Sequence, residues 1–201
     1  MIHELLSYTM ASNVFIIEDD TTIMIDSGMG LTERVPRFVR EKELIIDAII
    51  NTHCHVDHIG GNKWFPEAKI YAHKLDAPDI ETGTKKTLWH FGFQGPLKFP
   101  VTKILEEGDI INTGDYRLEV IHTPGHTEGS ISLYERKKKL LFSGDCVFDM
   151  GIGRMDFPTG SPKQMKQSLQ RLLDFDIEKI YAGHGGIGTK DSIQLGLEFY
   201  F

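Results

Sequence analysis

The sequence predicts an α/β protein in which two packed β-sheets carry helices on their outer faces, and three observations support that prediction. Short β-rich runs alternate with amphipathic stretches in both halves of the 201-residue chain, the pattern that layered sheets and helices require. One run, "LIIDAIINT" (44–52), is apolar almost throughout, as expected of a strand covered on both faces. No Pro/Gly/Ser-rich linker, shift in composition or solenoid-length repeat separates the halves. Residues 1–201 are therefore expected to form a single domain, and 40% apolar residues are enough for its core.

The elements follow in order. "NVFIIE" and "TTIMIDSG", parted by Asp19 and Asp20, predict a hairpin ending at Asp26. A helix comes next, capped by Thr32, with Val35, Phe38 and Val39 on one face and its end near Glu43. The 44–52 strand then delivers the chain to His53, so the residues beyond it lie in a loop at a strand end. A helical turn at 62–65, the strand "AKIYAH" and an irregular or helical piece at 75–93 complete the first half. Within 75–99, Trp89, Phe91 and Phe93 are read chiefly as core packing, with a pocket wall as the alternative.

In the second half, "TKILEEGDIINTGDYRLEVIHTPGH" breaks at Gly-Asp turns into short strands, the last ending at Thr123. "SISLYE" and "KKLLFSGD" form a hairpin around the solvated charge run 136–138. Met165, Leu169, Leu172 and Leu173 mark an amphipathic helix with Ser161 as its N-cap and Pro162 in its first turn. "EKIYAGHGG" is a strand feeding a loop, and "KDSIQLGLEFYF" is a closing helix.

A formal charge of -7 argues against nucleic acid and anionic membranes as partners, since a polyanion is repelled. No run reaches the ~20 apolar residues of a membrane span, and the first residues do not read as a secretion signal. The expected location is cytoplasmic. Cys54 and Cys146 are too few for a disulfide framework and read as small buried apolar side chains.

The chemistry concentrates in "NTHCHVDHIGG" (51–61), where His53, His55, Asp57 and His58 crowd into six positions. His126 in "TPGHTEGS", Asp145 in "SGDCVF" and His184 in "YAGHGG" stand at three further strand ends, each beside glycine. Glycine there lets the backbone approach an ion without a Cβ clash. Leaving such buried rings unpaired costs roughly 1 to 3 kcal/mol each, and a bound metal offsets that cost. Imidazole with carboxylate suits zinc, iron or manganese, and seven candidates exceed what one tetrahedral ion needs. His3, His73, His90 and His122 read as ordinary structural histidines. The His-Glu-x-x-His, Cys-x-x-Cys and Gly-x-Ser-x-Gly patterns are absent, and 183–190 and "GIGRMD" only partly match phosphate-loop and dinucleotide motifs.

"THCHVDH", "GHTEGS", "SGDCVF" and "AGHGG", in this order after an early "MIDSG", resemble the metallo-β-lactamase superfamily over essentially the whole chain. The resemblance implies an αββα sandwich of two mixed sheets. It implies that His53, His55 and His126 hold one divalent transition metal ion, that Asp57, His58 and His184 hold a second, and that Asp145 bridges them. Asp26 matches the aspartate that supports the ligand loop from behind. Zinc is the first choice of metal, with iron or manganese as alternatives. Two ions roughly 3.5 to 4 Å apart can share a water and lower its pKa toward about 7, and Asp57 is placed to take its proton.

Within the superfamily the chain is most similar to glyoxalase II, the hydroxyacylglutathione hydrolase group, in a short form whose "GIGRMDFPTGS" feature it shares. That likeness implies a thioesterase acting on a small-molecule acyl thiol such as S-lactoylglutathione, with Arg154 binding a carboxylate of the thiol carrier or forming a surface ion pair. Long glyoxalase II enzymes add a helical domain beyond the equivalent of His184, which leaves the carrier open. The alternative is a persulfide dioxygenase with one iron on His53, His126 and Asp145, and weaker alternatives are a lactonase or nuclease of the same superfamily. The cysteine-ligand lactamases place their cysteine where Asp145 stands, so Cys146 is expected to point elsewhere.

Overall fold

The computed structural model describes residues 1–201. Its strands divide at the midpoint of the sequence. Strands β1 (Ile2–Leu5), β2 (Val14–Ile17), β3 (Ile23–Ile25), β4 (Ala48–Ile50), β5 (Lys69–His73) and β6 (Val101–Leu105) form one sheet in that order. Strands β7 (Ile110–Asn112), β8 (Arg117–His122), β9 (Ile131–Glu135), β10 (Leu140–Gly144), β11 (Lys179–Ala182) and β12 (Ile187–Gly188) form the other. Both are mixed. β3 through β6 run parallel, while β8 and β10 flank β9 antiparallel and β11 runs parallel to β10.

Period-two alternation assigns each residue to a layer. Phe15, Ile17, Ile23, Ile25 and Ile50 of the first sheet meet Val120, Leu133, Phe142 and Tyr181 of the second in a core between the sheets. The intervening residues face outward. Val14, Ile16, Met24 and Ile49 pack beneath helix α1 (Arg34–Glu41), whereas Ile121, Tyr134, Leu141 and Ile180 pack against α4 (Pro162–Leu172) and α5 (Lys190–Tyr200). Helix α3 (Ala77–Thr82) covers Ile70 and Ala72. The order helix, sheet, sheet, helix is the expected sandwich.

Helix α4 begins as the sequence predicts. The Ser161 hydroxyl accepts from the Gln164 amide at 3.3 Å, with Pro162 at the position where a missing N–H costs nothing. Helix α1 differs, because Glu33 and not Thr32 occupies its N-cap and no side chain caps it; Pro36 in the first turn again removes only a donor that lacks an intrahelical partner. The strand expected over 44–52 is only Ala48–Ile50. Residues 44–47 instead wrap back from α1: the Leu44 amide bonds to the Val39 carbonyl, the Asp47 carboxylate accepts from the Thr22 amide at 2.8 Å, and Ile45 is 80% exposed. β1 went unread because "IHEL" lacks a clear apolar period, and β8 ends at His122 instead of Thr123.

The histidine cluster is also more ordered than a loop. Helix α2 (Val56–Ile59) carries Asp57 and His58, followed by the 3-10 turn Gly60–Trp64. Gly60 has an ordinary helical φ of -62°, so its use is close approach and not a sharp turn. A Cβ there would overlap the Met29 carbonyl.

Phe142 is fully buried and stacks on Tyr181 at 4.9 Å, with Phe15 at 5.7 Å. Phe142→Ala is expected to lower the unfolding free energy by about 3 to 5 kcal/mol, and Ile45→Asp to change it by less than about 0.5 kcal/mol, both read from urea denaturation midpoints.

Candidate metal centre

The carboxyl ends of β3, β4, β8, β10 and β11 converge on one edge of the sandwich, and each releases a polar residue there. Asp26 follows β3, His53 and His55 follow β4, His126 follows β8, Asp145 follows β10 and His184 follows β11, while Asp57 and His58 project from α2. All seven expected ligand residues are thereby brought together, with Asp26 behind them. Their ligating atoms form three groups, each within 4.8 Å: His53, His55 and His126; His53, His58 and Asp145; and Asp57, His58 and His184. The Asp145 oxygens lie 3.2 Å from His58 Nε2 and 3.4 Å from His126 Nε2, one toward each side. His184 Nε2 is 3.1 Å from Asp57 Oδ2.

Hydrogen bonds from behind orient the rings. His58 Nδ1 donates to Asp26 Oδ2 at 2.7 Å, and the same carboxylate accepts from the Thr52 amide at 2.8 Å and the Thr52 hydroxyl at 2.7 Å. The Thr52 oxygen, its own proton committed to Asp26, accepts from His53 Nδ1 at 3.2 Å. His126 Nδ1 donates to the Arg154 carbonyl at 2.7 Å. These bonds leave the Nε2 lone pairs of His53, His58 and His126 directed into the cluster, as metal ligation needs.

The interior of the cluster is polar and incompletely satisfied. His53 Nε2 and Asp145 Oδ1 are buried with no hydrogen-bond partner, an arrangement that is costly unless a cation completes it, and His55 turns its Nδ1 to His126 Nε2 at 2.8 Å. Burial, reinforced by neighbouring imidazoles, holds His53 well below the usual histidine range and His55 down to about 3, so both rings are neutral. At His58 burial acts in the same direction, but Asp145, Asp26 and Asp57 outweigh it and raise its pKa well above normal. Burial would raise the Asp145 pKa, yet His58 and the other imidazoles hold it well below the carboxylate range. The field that favours a proton on His58 is the field a metal cation would occupy, and the donor set fits divalent metal ions.

Of the remaining residues, Arg154 and Cys146 adopt arrangements the sequence offered, a surface ion pair and a buried thiol, whereas the aromatics at 89, 91 and 93 depart from the core packing chiefly expected of them. Arg154 turns its guanidinium away to both oxygens of Asp156, at 2.9 and 2.7 Å, and contributes its main-chain carbonyl to the site. Trp89, Phe91 and Phe93 do not pack the core: none is buried, and Phe91, 55% exposed, lines a cavity over the cluster. Cys146 points away into the core, 4.0 Å from the Met165 sulfur. Burial raises both thiols, Cys146 to about 12, so neither is a ready nucleophile.

The sequence reading missed Asp76 and Asn13. Asp76 is buried, and its carboxylate accepts from the Cys54 amide at 2.8 Å, the Thr127 hydroxyl at 2.8 Å and the Gly129 amide at 2.9 Å. It therefore ties the segment between His53 and His55 to the turn after His126. Asn13 similarly pins the His184 loop, donating from Nδ2 to the Ala182 and Gly185 carbonyls at 2.9 and 3.0 Å. The signal for Asp76 lay in "HTEGS", whose small donors beside a ligand need an acceptor. Asp76→Asn is expected to weaken metal affinity by roughly 10- to 100-fold in chelator-competition titrations, with an unchanged circular dichroism spectrum, because an amide presents a donor where the Gly129 or Thr127 donor needs an acceptor.

Comparisons with known proteins agree with this geometry. The family model described as Metallo-beta-lactamase superfamily matches residues 8–184. The chain is 37% identical over 205 aligned residues to the probable metallo-hydrolase MJ0888 of Methanocaldococcus jannaschii, covering 94% of this chain and 95% of that protein. It is 31% identical over 185 residues to the hydroxyacylglutathione hydrolase GloC of Haemophilus influenzae, covering 88% and 87% respectively. Among solved structures it is similar to TTHA1623 in a di-iron-bound form, with a TM-score of 0.80, 30% identity and 96% of each chain covered. A family match across most of the chain, joined by relatives above 30% identity over nearly their whole length, gives the conclusion that this protein belongs to the metallo-β-lactamase superfamily.

Proposed function

We propose that the protein is a metal-dependent hydrolase of acyl thioesters, similar in activity to glyoxalase II. Membership of the superfamily and the hydrolase names of its relatives support the reaction class. The observation that carries the reading is the placement of Asp145 between two sets of ligands, one oxygen toward His126 and the other toward His58. In this reading His53, His55 and His126 hold one ion, Asp57, His58 and His184 hold the other, and Asp145 serves both. Two such ions supply an activated water at neutral pH and polarise the thioester carbonyl.

The chain's own residues prepare that chemistry. Asp26, Thr52 and the Arg154 carbonyl fix the ring tautomers. Asp57, whose side chain is 25% exposed, lines the cavity over the cluster. Burial raises its pKa, but His58 and the bond from His184 outweigh this and keep it ionised. It is the residue placed to accept a proton as the carbon–sulfur bond breaks. Arg154 binds substrate in this scheme only if its pair with Asp156 opens.

A second reading, an iron-dependent persulfide dioxygenase, draws on the two-histidine, one-carboxylate set His53, His126 and Asp145, in which His126 Nε2 lies 3.4 Å from Asp145 Oδ2. One paired assay separates the two. Protein purified without added metal is expected to contain about two transition-metal ions per chain and to hydrolyse S-lactoylglutathione or a related thioester. Asp145→Ala is expected to lose activity by more than the roughly 100-fold that a supporting residue accounts for. A single iron per chain, with oxygen uptake on glutathione persulfide and no thioester hydrolysis, would overturn the hydrolase reading.

A further inference from the structure

The cavity over the cluster has a polar floor and an apolar wall. The floor is the cluster itself, and the wall comes from Met10, Met29, Leu88, Phe91, Ile152 and Phe157. The one charged wall residue outside the cluster is Arg154. Its guanidinium is held by both oxygens of Asp156 and lies over the Phe157 ring, 4.3 Å from the centroid. A hydroxyl or carboxylate on the acyl portion of a substrate would thus be desolvated against this wall without a free partner, which disfavours the neutral group and the charged one still more. Methylene groups would meet thioether and aromatic surface, which rewards their burial.

We infer that this cavity binds the aliphatic chain of an acyl thioester. The inference rests on the thioesterase reading and narrows its substrate class. The carbonyl lies at the polar floor, the chain runs along the apolar wall, and the thiol carrier leaves toward the adjoining groove between the β1–β2 connection and α1, which shares Met10, Met29 and Phe91 with the cavity and carries Arg34 and Arg37. Arg34 and Arg37 stand there among Glu4, Glu33 and Glu41, a mixed-charge lining that singles out no one carrier, and coenzyme A serves in the test as a soluble handle for the chain. A volume of about 310 Å3, which the thioester group and any bound ions share with the chain, holds on the order of ten groups of a water's bulk at roughly 30 Å3 each. Hydrolysis consumes one water, forms a carbon–oxygen bond, breaks the carbon–sulfur bond and leaves a fatty acid and a free thiol.

The test uses metal-loaded protein and a coenzyme A series from acetyl through butanoyl, hexanoyl and octanoyl to dodecanoyl, with S-lactoylglutathione alongside. The expected result is a kcat/KM that rises about fourfold per added methylene through octanoyl and levels off by dodecanoyl. A Met10→Ser, Phe91→Ser double variant changes two side chains that are 68% and 55% exposed, so folding is not at risk, and should reduce the octanoyl-to-acetyl ratio about tenfold. Calorimetry with S-octyl- and S-ethyl-coenzyme A, thioethers that cannot be hydrolysed, gives a readout independent of turnover, and the octyl compound is expected to bind at least about tenfold more tightly. Hydrolysis of acetyl-coenzyme A or S-lactoylglutathione with no rise along the series would overturn the chain assignment and leave the thioesterase reading intact. Equal binding of the two thioethers overturns it as well. Preferential binding of the octyl compound with no thioester hydrolysed would support the occupant of the cavity while overturning hydrolysis.

Discussion

Asp145 sits where a carboxylate has little reason to be, buried among the rings of His58, His126 and His184. An ionised group removed from water must recover its hydration from fixed partners, and one of its oxygens lacks a hydrogen bond. The constraint reaches outward from there. Neutral imidazoles turned inward, with their lone pairs toward the same point, repel one another and the carboxylate unless positive charge lies between them. Such an arrangement can persist only if the backbone delivers each side chain from a separate rigid direction. Two sheets whose parallel strands end at one edge provide those directions: β4 brings its pair of histidines from one sheet, and β8, β10 and β11 bring His126, Asp145 and His184 from the other.

The loops carrying these residues could relax away from one another, and a layer of buried polar contacts resists that. Asp26 holds α2 to the end of β4 through His58 and Thr52. Asp76 holds the end of β4 to the turn beyond His126, and Asn13 holds the His184 loop across the sheets. None of these three touches the centre of the cluster with a free valence to spare, so each is satisfied by its own donors or acceptors. The fixed positions lower the reorganisation needed when charge changes at the centre, the property on which electrostatic catalysis depends.

What the sequence made legible was periodicity and ligand chemistry. The uninterrupted apolar runs in "NVFIIE" and "TTIMID" mark strands covered on both faces, and the strand period of two sends Phe15 and Ile25 between the sheets and Val14 and Met24 beneath α1. The seven His and Asp residues were legible because few other chemistries use them together at strand ends. Less legible were contacts set by tertiary geometry. A continuous apolar run concealed that Ile45 faces solvent and that β4 has three residues, since hydrophobicity alone does not mark where a chain joins a sheet. Asp76 belongs to no motif, and its three donors come from residues distant in sequence. Arg154 was noticed for its guanidinium, whereas the structure uses its peptide carbonyl, a group identical in every residue and so invisible to side-chain reasoning.

The apolar cavity and the polar cluster beneath it are linked by the dielectric. Aromatic and thioether walls exclude water from the mouth of the site, and in the lower dielectric each charge interacts more strongly with its neighbours than it would in solvent. That penalises an incomplete cluster and strengthens a complete one. The same walls make the binding of a substrate a further act of desolvation, because a ligand in the cavity displaces water from the partly exposed Asp57 and His184 that line it. Recognition of the substrate and activation of the centre therefore share one cause. A residue such as Phe91, which touches no ligand atom and belongs to no motif, can influence reactivity by deciding how much water remains above the cluster.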